Sequence, residues 1–412
     1  MIPEQLAQEA IARCRQLGRF SEEPGRLTRT FLSPPMRDVH ETLTGWMKAL
    51  GMAVRVDAVG NLIGHYPGAT PEAPRFLLGS HVDTVRDAGL YDGALGVTLA
   101  LALVKALEGE RLPFALEVIA FSEEEGVRFG VPFIGSKAVA GRFEPDVLKL
   151  QDAQGLSLEE VIRAFGLEPA QIPQAAYHPA QVLGYLEFHI EQGPVLEALG
   201  YPLGIVEAIV GQSRLEVAFR GKAGHAGTSP MHLRRDALVG AAEWITLVER
   251  EAREEAGLVA TVGMITAQPG VANVIPGEVR MSLDVRHADD DVRSLAVANL
   301  ITRAQQVAQR RGLELGYLTR YEQAAVPCHP DLTEQLALSV EAQGYPVQRM
   351  ASGAGHDAMI MASLCPVAML FLRSPGGLSH HPDEMVWPQD TEAALRAGLD
   401  FLHRLASAQH QP

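Results

Sequence analysis

Cysteine is scarce: Cys14, Cys328 and Cys365 are the only three in 412 residues, far apart and without CxxC spacing. A disulfide framework and a thiolate zinc site are both excluded, and the expected setting is a reducing cytoplasm. Apolar runs are short, and none reaches the roughly 18 residues of a membrane span. From Met1 to Phe20, Glu4 and Glu9 interrupt the apolar pattern and make it amphipathic, unlike a signal peptide. Positive charge is in deficit, with 35 Lys and Arg against 50 Asp and Glu for a net charge of −15. That balance argues against nucleic acid or an anionic membrane surface as partner and leaves a small molecule. What is present is ordinary. Hydrophobic residues make up 47% and charged residues 21%, as in an average globular protein, so a disordered or fibrous chain is excluded.

At about 100–200 residues per domain, the length suggests two or three domains. Apolar runs at 76–78, leading into Gly79-Ser80-His81, and at 114–121 read as buried strands, with a core helix over 93–107 between them. Strand, helix, strand is the signature of an α/β layer with a mostly parallel sheet. Further strands are expected at 184–189, 346–350 and 367–372, and helices at 158–165, 331–343, 356–363 and 391–406. Between these blocks the rhythm changes. Residues 205–219 alternate like one strand, 234–255 are helical, and 259–266 and 279–286 form a strand pair around a turn at 273–277. A helix over 292–311 and a strand over 313–321 complete β-α-β-β-α-β, the ferredoxin-like order. The expected organisation is an α/β catalytic domain, residues 1–211 and 327–412, carrying an inserted ferredoxin-like domain, residues 212–326.

The chemistry concentrates at strand ends. His81 closes a predicted parallel strand, where open α/β sheets place ligands, and Asp83 could hold its imidazole in one tautomer. Asp92 lies in the next, glycine-rich loop. The second strand ends in Glu123-Glu124-Glu125, three carboxylates that repel one another unless a cation or proton offsets them. His189-Ile190-Glu191-Gln192-Gly193 ends a third, and Leu378-Ser379-His380-His381-Pro382 adds imidazoles near the C-terminus. A lone His or a triple Glu is more often a core histidine or a solvated loop. Four segments placing His, Asp or Glu at or just after strand ends or in glycine-rich loops favour a two-metal hydrolase. Glu123 reads as a rim carboxylate without a direct role.

The stretches GSHVDTV, YDGALG, FSEEEGVRFG, HIEQGPVLE, GHAGTSPM, ANVIPG, LDVR, SGAGHDAM and GGLSHHPDE resemble the metal-dependent amidohydrolase branch of the M20 peptidase family. That branch comprises allantoate amidohydrolases, N-carbamoyl-L-amino-acid hydrolases and β-ureidopropionases. The resemblance runs from about Phe31 to the C-terminal helix. It implies two divalent metal ions per subunit, one held by His81, Asp92 and His189, the other by Asp92, Glu125 and His380, with Asp92 shared. Zinc, manganese and cobalt all suit such ligands. His381 stands where a small or amide residue is expected, so either imidazole is a candidate; His380, directly after Leu378-Ser379, is preferred. Glu124 is implied as general base and acid, and Gln192, His225, Asn273 and Arg286 as substrate-binding residues, His225 also stabilising the oxyanion. Arg286 could grip a carboxylate in two hydrogen bonds or pair with Asp284, the 273–277 stretch reads equally as a plain turn, and His356-Asp357 could orient the metal ligands without a direct role.

The expected function is cleavage of a ureido C–N bond in a small carboxylate-bearing substrate. Residues 31–34, 122–129 and 193–204 look most like allantoate amidohydrolases, which makes allantoate the first choice and N-carbamoyl-L-amino acids the second. A peptidase of the same fold and a non-catalytic binding protein are the remaining alternatives. The inserted domain suggests a two-fold homodimer, and the resemblance implies that its active sites are shared, with His225 and Asn273 reaching the metal site of the other subunit.

Overall fold

The computed structural model describes residues 2–409. The chain passes through β1 (Ala53–Val56), β2 (Leu62–Tyr66), β3 (Arg75–His81), β4 (Ala115–Phe121), β5 (Val182–Ile190) and β6 (Leu203–Ile209). It continues through β7 (Gly211–Arg220), β8 (Gly224–His225), β9 (Val259–Thr261), β10 (Ile265–Gln268), β11 (Val274–Ile275), β12 (Glu278–His287) and β13 (Glu314–Gln323). The last strands are β14 (Val326–Pro327), β15 (Arg349–Ser352) and β16 (Val367–Leu372). Two compact units result, one from residues up to Glu207 together with those from Cys328 on, the other from Ala208–Pro327.

The large sheet has the order β1-β2-β4-β3-β5-β16-β6-β14, with β15 beside β6. Its centre, β4-β3-β5-β16, is parallel, while the pairings of β2 with β4 and of β6 with β16 are antiparallel. Residues of β4 and β16 are buried on both faces, as expected of continuous apolar runs in a sheet covered by helices. The helix Ala94–Ala106 is buried from Ala94 to Val104, which its apolar character on every side requires. It lies on β3 and β5 and beneath the helices Pro3–Leu17 and Pro388–Ala408. Each leucine it buries, Leu99 and Leu103 among them, contributes about 1.5–3 kcal/mol relative to exposure. Because the central strands are parallel, their carboxyl ends fall together: His81 pairs with Phe121, and His189 with Phe371. The segments after β3, β4, β5 and β16 therefore leave the sheet at one edge.

In the smaller unit the sheet order is β10-β12-β7-β13, with β9 also beside β12, all antiparallel. Leu215, Val217 and Phe219 of β7 and Val279, Met281, Leu283 and Val285 of β12 form a buried core with residues of the helices Ala237–Glu254 and Asp290–Arg311. The alternate residues, Gln212, Arg214 and Glu216 with Arg280, Asp284 and Arg286, occupy the opposite face, as the two-residue period demands.

Five expectations need correction. The 205–219 alternation is two strands, β6 and β7, because the backbone changes hydrogen-bonding partners between them, from β16 to β12 and β13. Residues 259–266 likewise divide into β9 and β10, both on β12. The 273–277 turn contains β11, which pairs with β8 so that Val274 faces His225. The 346–350 strand begins only at Arg349, since Pro346 has no N–H to offer a ladder. The helix expected from 234 begins at Ala237 because the Asp236 carboxylate accepts from the N–H groups of Leu238 and Val239.

Candidate metal centre

At the common edge of the parallel strands, Asp92 lies between the two ends of a His-and-carboxylate cluster. His189 Nε2 is 3.1 Å and His81 Nε2 3.6 Å from its Oδ1, and His380 Nε2 is 3.2 Å from its Oδ2 and 3.5 Å from Glu125 Oε1. Among the described residues four sets offer ligand atoms within 4.8 Å of one another: His81, Asp92 and His189; Asp92, Glu125 and His380; His81, Glu124 and Glu125; Glu187, His189 and His356. His381 turns away and accepts the Asp383 N–H on Nδ1.

Backbone geometry aims these groups. Gly93, at φ 65°, starts the Ala94–Ala106 helix directly against the His81 ring, and an added Cβ would lie 2.5 Å from its Cε1, Cδ2 and Nε2. Gln192 (φ 59°) and His380 (φ 55°) both adopt the left-handed conformation, uncommon for residues with a side chain and frequent at functional sites. Asp83 is buried and uses its two oxygens to accept from the N–H groups of Glu124 (3.0 Å) and Glu125 (3.1 Å), so it holds the end of β4 as well as standing 3.4 Å from His81 Nδ1. Arg29, buried, donates to the carbonyls of Val82, Leu17 and Phe20, and its charge acts on Asp83.

The electrostatics are unbalanced. Burial favours protonation of Asp92, yet the facing imidazoles of His189, His380 and His81 hold it well below the usual carboxylate range. Burial works to lower the His81 pKa, and Asp83, Asp92 and Glu124 outweigh it and hold the ring well above its ordinary value. Glu124 is pushed well up by burial, partly offset by His81 and reinforced by Glu125, Asp357 and Asp83. Burial and Asp92 raise Glu125 to about 7. Carboxyl groups pushed up by burial and by one another, beside imidazoles pulled up by the acids around them, mark a site short of positive charge, which a divalent cation would supply.

The donor set fits a metal in a second respect. His81 Nδ1 lies 3.0 Å from the carbonyl of Asp83 and His189 Nδ1 2.9 Å from that of Ile190, an arrangement that puts the ring proton on Nδ1 and leaves Nε2 bare. Both Nε2 atoms face Asp92 Oδ1, which is buried and accepts no hydrogen bond. Lone pairs facing one another across such a gap require a proton or a cation between them. His356 lies beside this group, its ring centroid 4.4 Å from that of His189.

Gln192 does not point outward as a substrate reader alone: its Nε2 donates to Asp92 Oδ2 at 3.1 Å and to Ser379 Oγ at 3.0 Å, while its Oε1 is buried without a partner. Glu123 is not at the rim. It is 1% exposed, and its Oε1 accepts the Gly126 N–H.

The remaining expected residues lie in the smaller unit. His225 is exposed and accepts the Gly227 N–H on Nδ1, which leaves the proton on Nε2; Asn273, also exposed, accepts the Ala226 N–H on its backbone carbonyl. Arg286 makes the pairing foreseen as its alternative, with Nε 2.8 Å and Nη2 3.2 Å from the oxygens of Asp284. Arg214 and Gln212 converge on the same carboxylate, and Gln212 sits directly opposite Arg286 in the ladder. Gln212 escaped sequence reasoning because it is one polar residue in an alternating strand; strand register was the only signal that could have singled it out.

Residues 77–408 match the profile of peptidase family M20/M25/M40. The chain is 40% identical to a probable allantoate deiminase of Oryza sativa subsp. japonica over 97% of its own length and 89% of that protein's. It is 39% identical to an N-carbamoyl-L-amino acid amidohydrolase of Geobacillus stearothermophilus over 93% and 94% of the two chains. A solved hydantoinase/carbamoylase family amidase from Burkholderia multivorans superposes with a TM-score of 0.91 at 31% identity, covering 97% of this chain and 98% of that one. Among the described residues no helix is long and apolar enough to cross a membrane. The chain belongs to peptidase family M20/M25/M40, in the branch of allantoate deiminases and N-carbamoyl-L-amino-acid amidohydrolases, and is a metal-dependent hydrolase.

Proposed function

We propose that this enzyme hydrolyses the ureido C–N bond of allantoate, releasing ammonia and carbon dioxide. The observation that carries the hydrolytic reading is the convergence of two His-and-carboxylate sets on one buried carboxylate, Asp92. Allantoate is supported by the likeness to the rice allantoate deiminase over nearly the full chain. The likeness to the Geobacillus enzyme makes N-carbamoyl-L-amino acids the second reading, since these also carry a carboxylate and a ureido group.

In this reading His81, Asp92 and His189 hold one divalent ion and Asp92, Glu125 and His380 a second, for which zinc, manganese or cobalt is suited. A divalent ion held by these residues would supply Lewis acidity toward the ureido carbonyl and toward water. Glu124 takes the proton of the attacking water and returns it to the leaving nitrogen as the C–N bond breaks. Asp83 fixes the backbone from which Glu124 and Glu125 project. His225, with its proton on Nε2, donates to the oxyanion. Arg286, held in plane by Asp284, binds the substrate carboxylate. Gln192 Oε1, buried and unpartnered, accepts from a ureido N–H, and Asn273 completes the recognition of that group.

We read residues 212–326 as an inserted ferredoxin-like domain serving as lid and dimerisation surface, a reading that the order β10-β12-β7-β13 supports. The assembly is a homodimer in which His225 serves the active site of the partner subunit. Cys14, Cys328 and Cys365, all buried thiols, support a cytoplasmic location. Ammonia release by metal-loaded enzyme from allantoate and several N-carbamoyl-L-amino acids, with amino-acid release followed for several dipeptides, tests the assignment. The proposal expects allantoate to give the highest kcat/KM, and preference for a dipeptide would overturn it. Mixing Glu124→Gln with His225→Ala subunits should restore activity under subunit exchange, and a dead mixture of proven heterodimers would refute shared sites.

A further inference from the structure

Glu384 ends the stretch that carries Ser379 and His380, yet the chemistry above gives it no part. It is 4% exposed, and among the described residues no Lys or Arg forms an ion pair with it. A buried carboxylate without a cationic partner is costly unless its hydrogen bonds are well used. Glu384 uses them on one loop. Its Oε1 accepts the backbone N–H of Tyr91 at 2.8 Å and of Asp92 at 3.0 Å. Its Oε2 lies 3.4 Å from Ser379 Oγ, which is also 3.2 Å from Asp92 Oδ2. The Ser379 hydroxyl accepts from Gln192 Nε2 at 3.0 Å and has one proton to give to either carboxylate. Asp92 is thus gripped twice, by Glu384 at its backbone and by Ser379 and Gln192 at its side chain.

The chain makes room for this grip. At Gly89 an added Cβ would lie 2.3 Å from Glu384 Cβ and 2.4 Å from its Cδ and Oε1, so only glycine lets the loop close on the carboxylate. Tyr91 is buried in the core, and Glu384 is the acceptor for the backbone N–H groups of Tyr91 and Asp92 at the turn into the Ala94–Ala106 helix. A carboxylate shared between two sets of imidazole and carboxylate ligands tolerates little displacement, because a shift toward one set is a shift away from the other.

We propose that Glu384 is a positioning residue for Asp92: by accepting the Tyr91 and Asp92 N–H groups it fixes the loop so that Asp92 turns one oxygen to His81 and His189 and the other to Glu125 and His380. The inference rests on the reading of Asp92 as a metal ligand. Removing the acceptor leaves two buried N–H groups unsatisfied and frees the loop. Loss of a residue that orients a ligand typically weakens metal binding by about 10–100-fold.

The test is calorimetric titration of Mn²⁺ into the metal-free full chain at neutral pH, with the thermal midpoint of each metal-free variant measured alongside. Glu384→Ala should bind Mn²⁺ about 10–100-fold more weakly than wild type. Glu384→Gln keeps an oxygen for both N–H groups and should bind close to wild type, a rescue that a purely structural role for the charge would not produce. Gly89→Ala, which drives the loop from an intact Glu384, should reproduce the weakening even if Glu384→Ala does not fold. Asp92→Asn is the control. If Asp92→Asn loses Mn²⁺ while Glu384→Ala and Gly89→Ala bind as tightly as wild type, the positioning role is overturned and the metal reading stands. If Asp92→Asn itself binds as wild type, the metal reading fails and the inference falls with it.

Discussion

The two units handle charge in opposite ways. Around Asp92 in the larger, Glu124, His81 and His189 are buried with it, and these acids face imidazoles and one another rather than Lys or Arg. In the smaller, one face of the sheet carries charges that neutralise one another: Asp284 against Arg286 and Arg214, Glu216 against Arg280 and Arg320. The consequence shows in the acids. Burial and like charge raise Glu125 to about 7, whereas hydrogen bonds and charge from Arg320 and Arg280 lower Glu216. The cluster in one unit leaves its acids short of positive charge; the sheet face of the other pairs its acids with arginines.

The largest effect expected from this contrast is at Glu124. Glu124→Gln keeps the size and removes the base, so kcat should fall by about 10²–10⁴-fold while metal remains bound. Near-normal turnover at full metal occupancy would show that the buried acid of the larger unit is not the proton carrier.

The contrast was partly legible in the sequence. His81, Glu124, Glu125 and His189 could be placed because parallel strands bring the residues at their carboxyl ends to one edge, and strand ends are visible as apolar runs that stop at polar residues. The change of sheet at Val210, inside one alternating stretch, was not legible: alternation reports that a segment is a strand but not which sheet it joins. Nor was the burial of Glu123, since three adjacent glutamates look alike until the backbone turns one inward. Glu384 and Gln212 bond to residues distant in sequence, Asp92 and Asp284, and only tertiary contact reveals such pairs.

A second way to sharpen the comparison is pH. His40, in the larger unit, has its ring edge-on to Phe165 and a buried Nε2 without a partner, and burial depresses its pKa to about 4. Between the unfolded value near 6.5 and about 4 the unfolded state binds the extra proton, so this residue's stabilising contribution is present above pH 6.5 and is lost as pH falls through that window. The loss amounts to roughly 3 kcal/mol. Chemical denaturation across this range should show His40→Leu gaining on wild type by that amount toward pH 4. A difference independent of pH would mean that the ring is already protonated, or solvated, in the fold.

The smallest effect is expected in the smaller unit. Arg286→Lys keeps the charge and loses the planar fork, and with a third of the side chain exposed the cost should be about 2 kcal/mol in kcat/KM for carboxylate substrates, mostly in KM. An amide analogue of the substrate should barely respond. Equal losses for the two would mean that Arg286 serves only Asp284 and the sheet.

The measurement closest to the central claim tracks ammonia release from allantoate while a divalent metal is titrated into metal-free enzyme, with bound metal determined at every point. Activity absent without metal, rising with occupancy and levelling off at two ions per chain, with Asp92→Asn inert throughout, is the predicted result. Undiminished ammonia release by the metal-free enzyme, or full activity in Asp92→Asn, would contradict it.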